Sequence, residues 1–299
     1  MKSDTKDKEN EGSRAVAQAT AFFQEESMFQ AHRVFPGIVH ITDVMGVSFT
    51  LIEGEKRAVL FDTGYGMENV NAYVKTLTEK PLLVYLSHGH HDHVLGAAWF
   101  ENTRMCREDT DEFLERIAAK QREQVRKQAE EMNVPVPDSF MDREIPTPEA
   151  IRFDGKTGTF DSLTEDLGGL KINIIRVPGH TPGSIVIHIP VYDLLLTGDN
   201  WNPCTWMWFP SSLGADSWRD NMLSLIIALE ERQGREIRKI LCSHQPAERA
   251  GNELKEFLAY MTDARIKEAS GVDMGSAIDT RRVVTDEWTL IFDYSKIRI

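Results

Sequence analysis

Leu82-Leu83-Val84-Tyr85-Leu86-Ser87-His88-Gly89-His90-His91-Asp92-His93 decides how this chain is read. Its first five residues form a short apolar run, as expected for a strand buried on both faces. The run feeds directly into His88, His90, Asp92 and His93. The strand supplies a rigid base, and the loop containing Gly89 lets closely spaced side chains turn toward a common point. Imidazole nitrogens and a carboxylate suit Zn²⁺ and other borderline divalent ions. Ligands packed this closely crowd a single tetrahedral ion that must keep an open position, so two ions are the natural solution. His91 falls between the ligand positions and reads as a neighbour pointing away.

Upstream, Val34–Ile41, Val47–Glu53 and Ala58–Phe61 read as strands, the last ending in Asp62-Thr63-Gly64. A helix follows with Val70, Tyr73, Val74 and Leu77 on one face. Downstream, a second series begins. Lys171–Val177 ends in Pro178-Gly179-His180-Thr181-Pro182-Gly183, and Ser184–Ile189 is a further strand. Asp193–Leu196 ends in Thr197-Gly198-Asp199, and Ile237–Cys242 ends at Ser243-His244. Asp216 reads as the N-cap of a helix carrying Trp218, Met222, Leu225 and Leu229. Another helix carries Leu254, Phe257, Leu258 and Met261, and the tail from Arg282 to Ile299 reads as strands around a turn. His180, Asp199 and His244 each follow an apolar strand. All three can therefore reach one edge of a sheet, where open α/β sheets place their sites. His40 and His188 lie among apolar strand residues and read as strand or surface histidines.

The stretch from Arg107 to about Ile151 interrupts this order. It is rich in Glu, Lys, Gln and Arg, with Leu114, Ala118, Val125, Ala129 and Met132 as a weak apolar stripe. It reads as one long helix plus a Pro-rich loop: either a lid over a site or a solvated helix packed outside. Trp201, Trp206, Met207 and Trp208 follow Asp199 closely and are candidates for an apolar substrate wall, with packing beneath the insertion as the alternative.

The 299 residues carry a net charge of −13, which disfavours broad nucleic-acid binding. Cys106, Cys204 and Cys242 are scattered and suggest free thiols in a reducing compartment. Met1 to about Arg14 is polar, reads as mobile and lacks the apolar core of a signal peptide. A short helix is expected near Ala15–Glu26. No apolar run approaches the roughly 20 residues needed to span a bilayer. These features lead us to expect a cytoplasmic protein with a small-molecule substrate and no membrane or nucleic-acid partner. The strand-like tail offers an edge for a homo-oligomer.

The order HxHxDH, a distant His in a PGHT loop, an Asp in a TGD turn and a late His after a strand resembles the metallo-β-lactamase superfamily, over roughly Val34 to Ala269. The resemblance implies an α/β (α+β) fold, a four-layer αββα sandwich spanning 31–299, with a helical insertion at about 107–150 and a polar N-terminal extension at 1–30. It implies two divalent metal ions, Zn²⁺ first and Fe or Mn as alternatives. His88, His90 and His180 would hold one ion, Asp92, His93 and His244 the other, and Asp199 would bridge them. Asp62 would support the metal loop from behind. Two ions about 3.5–4 Å apart make a bridging hydroxide, which Asp92 would orient and whose proton it would relay.

Within that superfamily, Asp199 argues against β-lactam cleavage: one lactamase class uses Cys at the bridging position, and the class sharing HxHxDH lacks the bridging Asp. His90 argues against the flavodiiron proteins, which carry Glu there. The bridging-Asp group, which includes glyoxalase II and lactonases, remains. The expected reaction is hydrolysis of a small or medium, partly apolar ester, thioester or lactone. Phosphodiester hydrolysis on the same site is the runner-up, and a non-hydrolytic iron-dependent redox or sensor protein is the alternative of another class.

Overall fold

The computed structural model describes residues 27–299, so the expected mobile segment Met1–Arg14 and the helix near Ala15–Glu26 lie outside it. The first sheet contains β1 (Gln30–Phe35), β2 (Ile38–Thr42), β3 (Ser48–Glu53), β4 (Ala58–Phe61), β5 (Leu82–Tyr85), β6 (Arg104–Met105) and β7 (Glu149–Ala150), hydrogen-bonded in that order. Pairing is antiparallel from β1 to β4 and parallel from β4 onward. The second sheet holds β8 (Gly155–Thr157), β9 (Phe160–Asp166), β10 (Lys171–Arg176), β11 (Ile185–Ile189) and β12 (Leu194–Gly198). With β14 (Lys239–Cys242) and β15 (Arg249–Ala250) it runs in the order β15-β14-β12-β11-β10-β9-β8.

Strand periodicity explains how the sheets stack, because alternate residues point to opposite faces. Ile38, Ile52, Val59, Phe61 and Tyr85 of the first sheet share one core with Ile172, Ile174, Ile185, Ile187, Leu194 and Leu241 of the second. Their strand neighbours Val39, Ile41, Leu51, Leu60 and Val84 face outward and pack with α1 (Val70–Leu77). Ile175, Val186, Leu195 and Ile240 face outward from the second sheet onto α5 (Ala215–Gln233) and α6 (Gly251–Tyr260). The four-layer αββα sandwich follows from these two alternations. The strands β4 and β11 are buried at every position. Each fully buried Val, Leu or Ile contributes about 1.5–3 kcal/mol from area alone.

Several expectations need correcting. Val34–Ile41 is a hairpin, not one strand, because Pro36-Gly37 turns the chain between β1 and β2. Gly37 has φ +77°, and a Cβ there would lie 2.3 Å from the Glu53 carbonyl oxygen. Asp216 is not the N-cap of α5. Gly214 is, and Asp216 sits in the first turn, where its carboxylate accepts the Arg298 N–H at 2.9 Å. The tail joins a third sheet: β13 (Cys204–Met207), β18 (Thr289–Asp293), β17 (Thr280–Val284) and β16 (Ser270–Gly271), in that order. The aromatic stretch after Asp199 is therefore partly a strand, parallel to β18.

The insertion is two helices rather than one. The short α2 (His91–Val94) precedes it, and it comprises α3 (Thr110–Arg116) and α4 (Ala119–Glu131), with α7 (Asp263–Lys267) completing the helices late in the chain. The break falls at Ile117-Ala118, where Ala118 is extended. The buried Arg122 stabilises the break by donating to the Ile117, Met141 and Arg143 carbonyls at 2.7, 3.2 and 2.5 Å. The expected stripe is only half correct. Val125 and Ala129 are buried, but Leu114 and Met132 are exposed, and Phe113 faces the core in place of Leu114. No helix among the described residues is long and apolar enough to cross a membrane.

Candidate metal centre

Three loops and one short helix bring the sequence-selected residues to the ends of β5, β10, β12 and β14. They form two groups whose ligand atoms lie within 4.8 Å of one another: His88, His90 and His180, and Asp92, His93, Asp199 and His244. Asp199 links them. Its Oδ2 lies 3.1 Å from His244 Nε2, 3.4 Å from His93 Nε2 and 3.7 Å from His180 Nε2. Asp92 Oδ2 is 3.3 Å from His93 Nε2 and 3.5 Å from His244 Nε2.

Each loop is held by hydrogen bonds that aim its ligand. Asp62, at φ +69°, accepts Ser87 N–H at 2.6 Å on one oxygen and His93 Nδ1–H at 3.0 Å on the other. Thr63 donates its N–H and hydroxyl to the His93 carbonyl at 3.0 and 2.7 Å. The two segments touch so closely that a Cβ on Gly96 would lie 2.0 Å from the Thr63 carbonyl oxygen. Asn200 accepts His180 N–H at 2.9 Å and donates to the Val177 carbonyl at 2.7 Å. His40 is no ligand; its Nε2 donates to the Gln245 carbonyl at 2.9 Å and pins the loop after His244. His91 belongs to neither group and lies beside Tyr65, with ring centroids 5.7 Å apart.

The electrostatics of the histidines test whether a cation fits. His180 Nδ1 faces the Trp206 carbonyl at 2.6 Å and must donate to it. His90 Nε2 lies 3.1 Å from the Glu112 carboxylate, at ion-pair distance but without a formed hydrogen bond. His90 Nδ1 and His180 Nε2 face each other at 2.9 Å. Burial, reinforced by His90, drives His180 down to about 3, so its Nε2 keeps a lone pair. His88 Nε2, His90 Nε2, His93 Nε2 and Asp199 Oδ1 are buried with no hydrogen-bond partner. Burial favours neutral acids, yet the adjacent imidazoles hold Asp92 and Asp199 well below the usual carboxylate range. Converging lone pairs and ionised carboxylates fit divalent cations.

The family model of the metallo-beta-lactamase superfamily matches residues 42–244, from the end of β2 to the last of these histidines. The chain belongs to the metallo-beta-lactamase superfamily. It is a metal-dependent hydrolase of that superfamily. Among solved structures it is similar to a metallo beta lactamase from Erythrobacter litoralis, at 15% identity and TM-score 0.56, covering 80% of this chain and 98% of that one. It is also similar to the stereoselective inverting sec-alkylsulfatase Pisa1 from Pseudomonas sp., at 19% identity and TM-score 0.57, covering 80% of this chain and 42% of that one. A third similar structure is the metallo-beta-lactamase FIM-1 from Pseudomonas aeruginosa in its mono-zinc form, at 17% identity and TM-score 0.52, covering 79% and 95%. At such identities the likeness is one of fold. A search of curated proteins finds no match.

Other residues around this metallo-beta-lactamase site were not legible in the sequence. Asp109, fully buried, accepts from Gly89 N–H at 3.1 Å, Thr181 Oγ1 at 2.6 Å and Gly183 N–H at 2.6 Å. It ties the insertion to the His90 loop and the His180 loop together. Glu112 and Arg116 follow on α3. The aromatic stretch divides by strand alternation. Trp201 and Met207 are fully buried in the core beneath, so they do not line a pocket as expected. Trp206 is 40% exposed, and Trp208 and Phe209 are partly exposed. Phe209 stands edge-on to His90 and His180, with centroids 4.6 and 5.4 Å away, and stacks on Trp208 at 4.8 Å. The apolar wall at the site is thus Trp206, Trp208 and Phe209.

Proposed function

We propose that the chain hydrolyses a small or medium, partly apolar ester, thioester or lactone at a centre of two divalent cations, zinc by preference. His88, His90 and His180 would hold one ion, Asp92, His93 and His244 the other, with Asp199 between them. Bound there, such ions polarise the reacting oxygen and bring water's proton loss toward neutral pH.

The observation that carries the substrate class is the aromatic wall at the cluster, on which the stacked cation, Arg116, is already paired. Phe209 flanks His90 and His180, and Trp206 and Trp208 pack on Phe209. Arg116 sits over the Phe209 ring, 5.5 Å from its centroid, but its Nε and Nη2 are both held by Glu112 at 2.7 Å. A phosphodiester would want a free guanidinium or ammonium for its non-bridging oxygens. A neutral acyl group wants apolar contact. Asp92 would take a proton from the attacking water and return it to the leaving oxygen or sulfur. The apolar wall would exclude bulk water and hold the acyl chain.

A panel of p-nitrophenyl esters, aliphatic thioesters, lactones and bis-p-nitrophenyl phosphate tests this with zinc-loaded protein. Acyl turnover at least tenfold above phosphodiester turnover in kcat/KM is expected. Turnover of the phosphodiester alone would reverse the assignment.

A further inference from the structure

We infer that the insertion builds the metal centre rather than only covering it: Glu112 of α3 is a positioning residue that fixes the ring of His90. His90 lies between two partners. Its Nδ1 faces the cluster, 2.9 Å from His180 Nε2, and its Nε2 is 3.1 Å from Glu112 Oε1. The carboxylate is itself clamped, because Arg116 one turn later reaches the same oxygen through Nε and Nη2, each at 2.7 Å. The side chains are 5% exposed for His90, 13% for Glu112 and 17% for Arg116, so solvent screens this chain of contacts little.

A ligand histidine bound through one nitrogen donates the other N–H to a carboxylate, carbonyl or water, and that partner sets tautomer and ring angle. His93 has Asp62 and His180 has the Trp206 carbonyl, neither of them from the insertion. For His90 the partner comes from the insertion. The attachment is rigid because Asp109, just before α3, bonds Gly89 N–H, Thr181 Oγ1 and Gly183 N–H. Metal binding through His90 Nδ1 requires the proton on Nε2, and Glu112 holds it there. By linkage, a cation at the cluster also stabilises the docked α3 by the same free energy.

The inference rests on the metal reading and is tested separately from it by zinc alone, without substrate. Chelator competition measures zinc affinity of wild type, Glu112→Met and Glu112→Gln, with thermal melting to confirm folding. Loss of a carboxylate partner to a ligand His costs about 10–100-fold in metal affinity. Glu112→Met should lose that much for one ion. Glu112→Gln should stay within about threefold, since its amide oxygen still accepts the N–H. Amide exchange of wild type, which needs no variant, should slow across Thr110–Arg116 when zinc is added. Unchanged zinc affinity in Glu112→Met, or equal exchange of α3 with and without zinc in a protein that binds zinc, overturns the inference. Failure of wild type to bind zinc overturns the metal reading itself.

Discussion

His90 Nδ1 and His180 Nε2 face each other at 2.9 Å, with the Trp206 carbonyl bonded to the far nitrogen of His180 and the Glu112 carboxylate 3.1 Å from the far nitrogen of His90. Two imidazole nitrogens this close suit a cation that takes a lone pair from each. The zinc-loaded protein is therefore expected to be more stable than the chelator-stripped one. Ligand at 100–1,000 times its Kd adds about 2.7–4.1 kcal/mol, which for a chain this size raises Tm by about 5–15 °C. Melting curves with zinc and with excess chelator check it; coincident curves would count against a cation at this pair.

Asp92 is expected to matter more for turnover than for folding. Its Oδ2 lies 3.3 Å from His93 Nε2 and 3.5 Å from His244 Nε2, at the mouth where His244 is the most exposed of the cluster. Asp92→Asn removes the proton acceptor and should lower kcat by about 10²–10⁴-fold, with metal content measured on the same samples. Near wild-type kcat would remove Asp92 from proton transfer.

The seven residues from His88 to His244 were legible because each follows an apolar strand, and a strand end leaves few directions for the next side chain. The sandwich was legible only through the motif resemblance, because β4, β11 and β12 are buried at every position and carry no polar–apolar alternation that would assign their faces. Asp109, Glu112 and Arg116 were not, because a Glu and an Arg four apart on a polar helix read as a solvated pair. Only the fold shows that α3 lies against His90. The pocket wall was misread for a related reason. Trp201, Met207 and Trp206 sit close in sequence, but the strand character of β13 sends Met207 inward and Trp206 outward. That strand exists only because β18, 85 positions later in register (Cys204 opposite Thr289), pairs with it.

Asp109 should be the insertion's main anchor. Its carboxylate takes three hydrogen bonds in a fully buried place, and burial raises its pKa despite them. Asp109→Ala leaves the Gly89 and Gly183 N–H groups unsatisfied, at about 1–3 kcal/mol for each buried group, while the Thr181 hydroxyl keeps Ser184 Oγ at 2.8 Å. Partial relaxation should leave a net loss of about 3 kcal/mol or more, read as a lower denaturant midpoint at unchanged slope. A loss below about 1 kcal/mol would mean the insertion is held elsewhere.

His188 gives the fold an acid sensitivity away from the metal centre. It is 2% exposed, and burial drives it down to about 4. In the unfolded chain a histidine titrates near 6.5. Between those values the unfolded state binds a proton that the native state refuses. Its contribution is therefore whole above pH 6.5 and is lost as pH falls toward 4. Urea unfolding of wild type and His188→Leu at pH 7 and pH 4.5 isolates it, since the cluster's own titration cancels in the difference. Wild type should lose on the order of 2 kcal/mol more than the variant on acidification. Equal losses would contradict the neutral, buried histidine.

The number of metal ions bound at the cluster is the most direct test of the centre. Native mass spectrometry of zinc-loaded protein, with His180→Ala and His244→Ala beside it, reads this number. Two ions per wild-type chain and one in each variant is the expected result. A wild-type chain that holds no zinc, or one whose zinc count is unchanged in both variants, would contradict it.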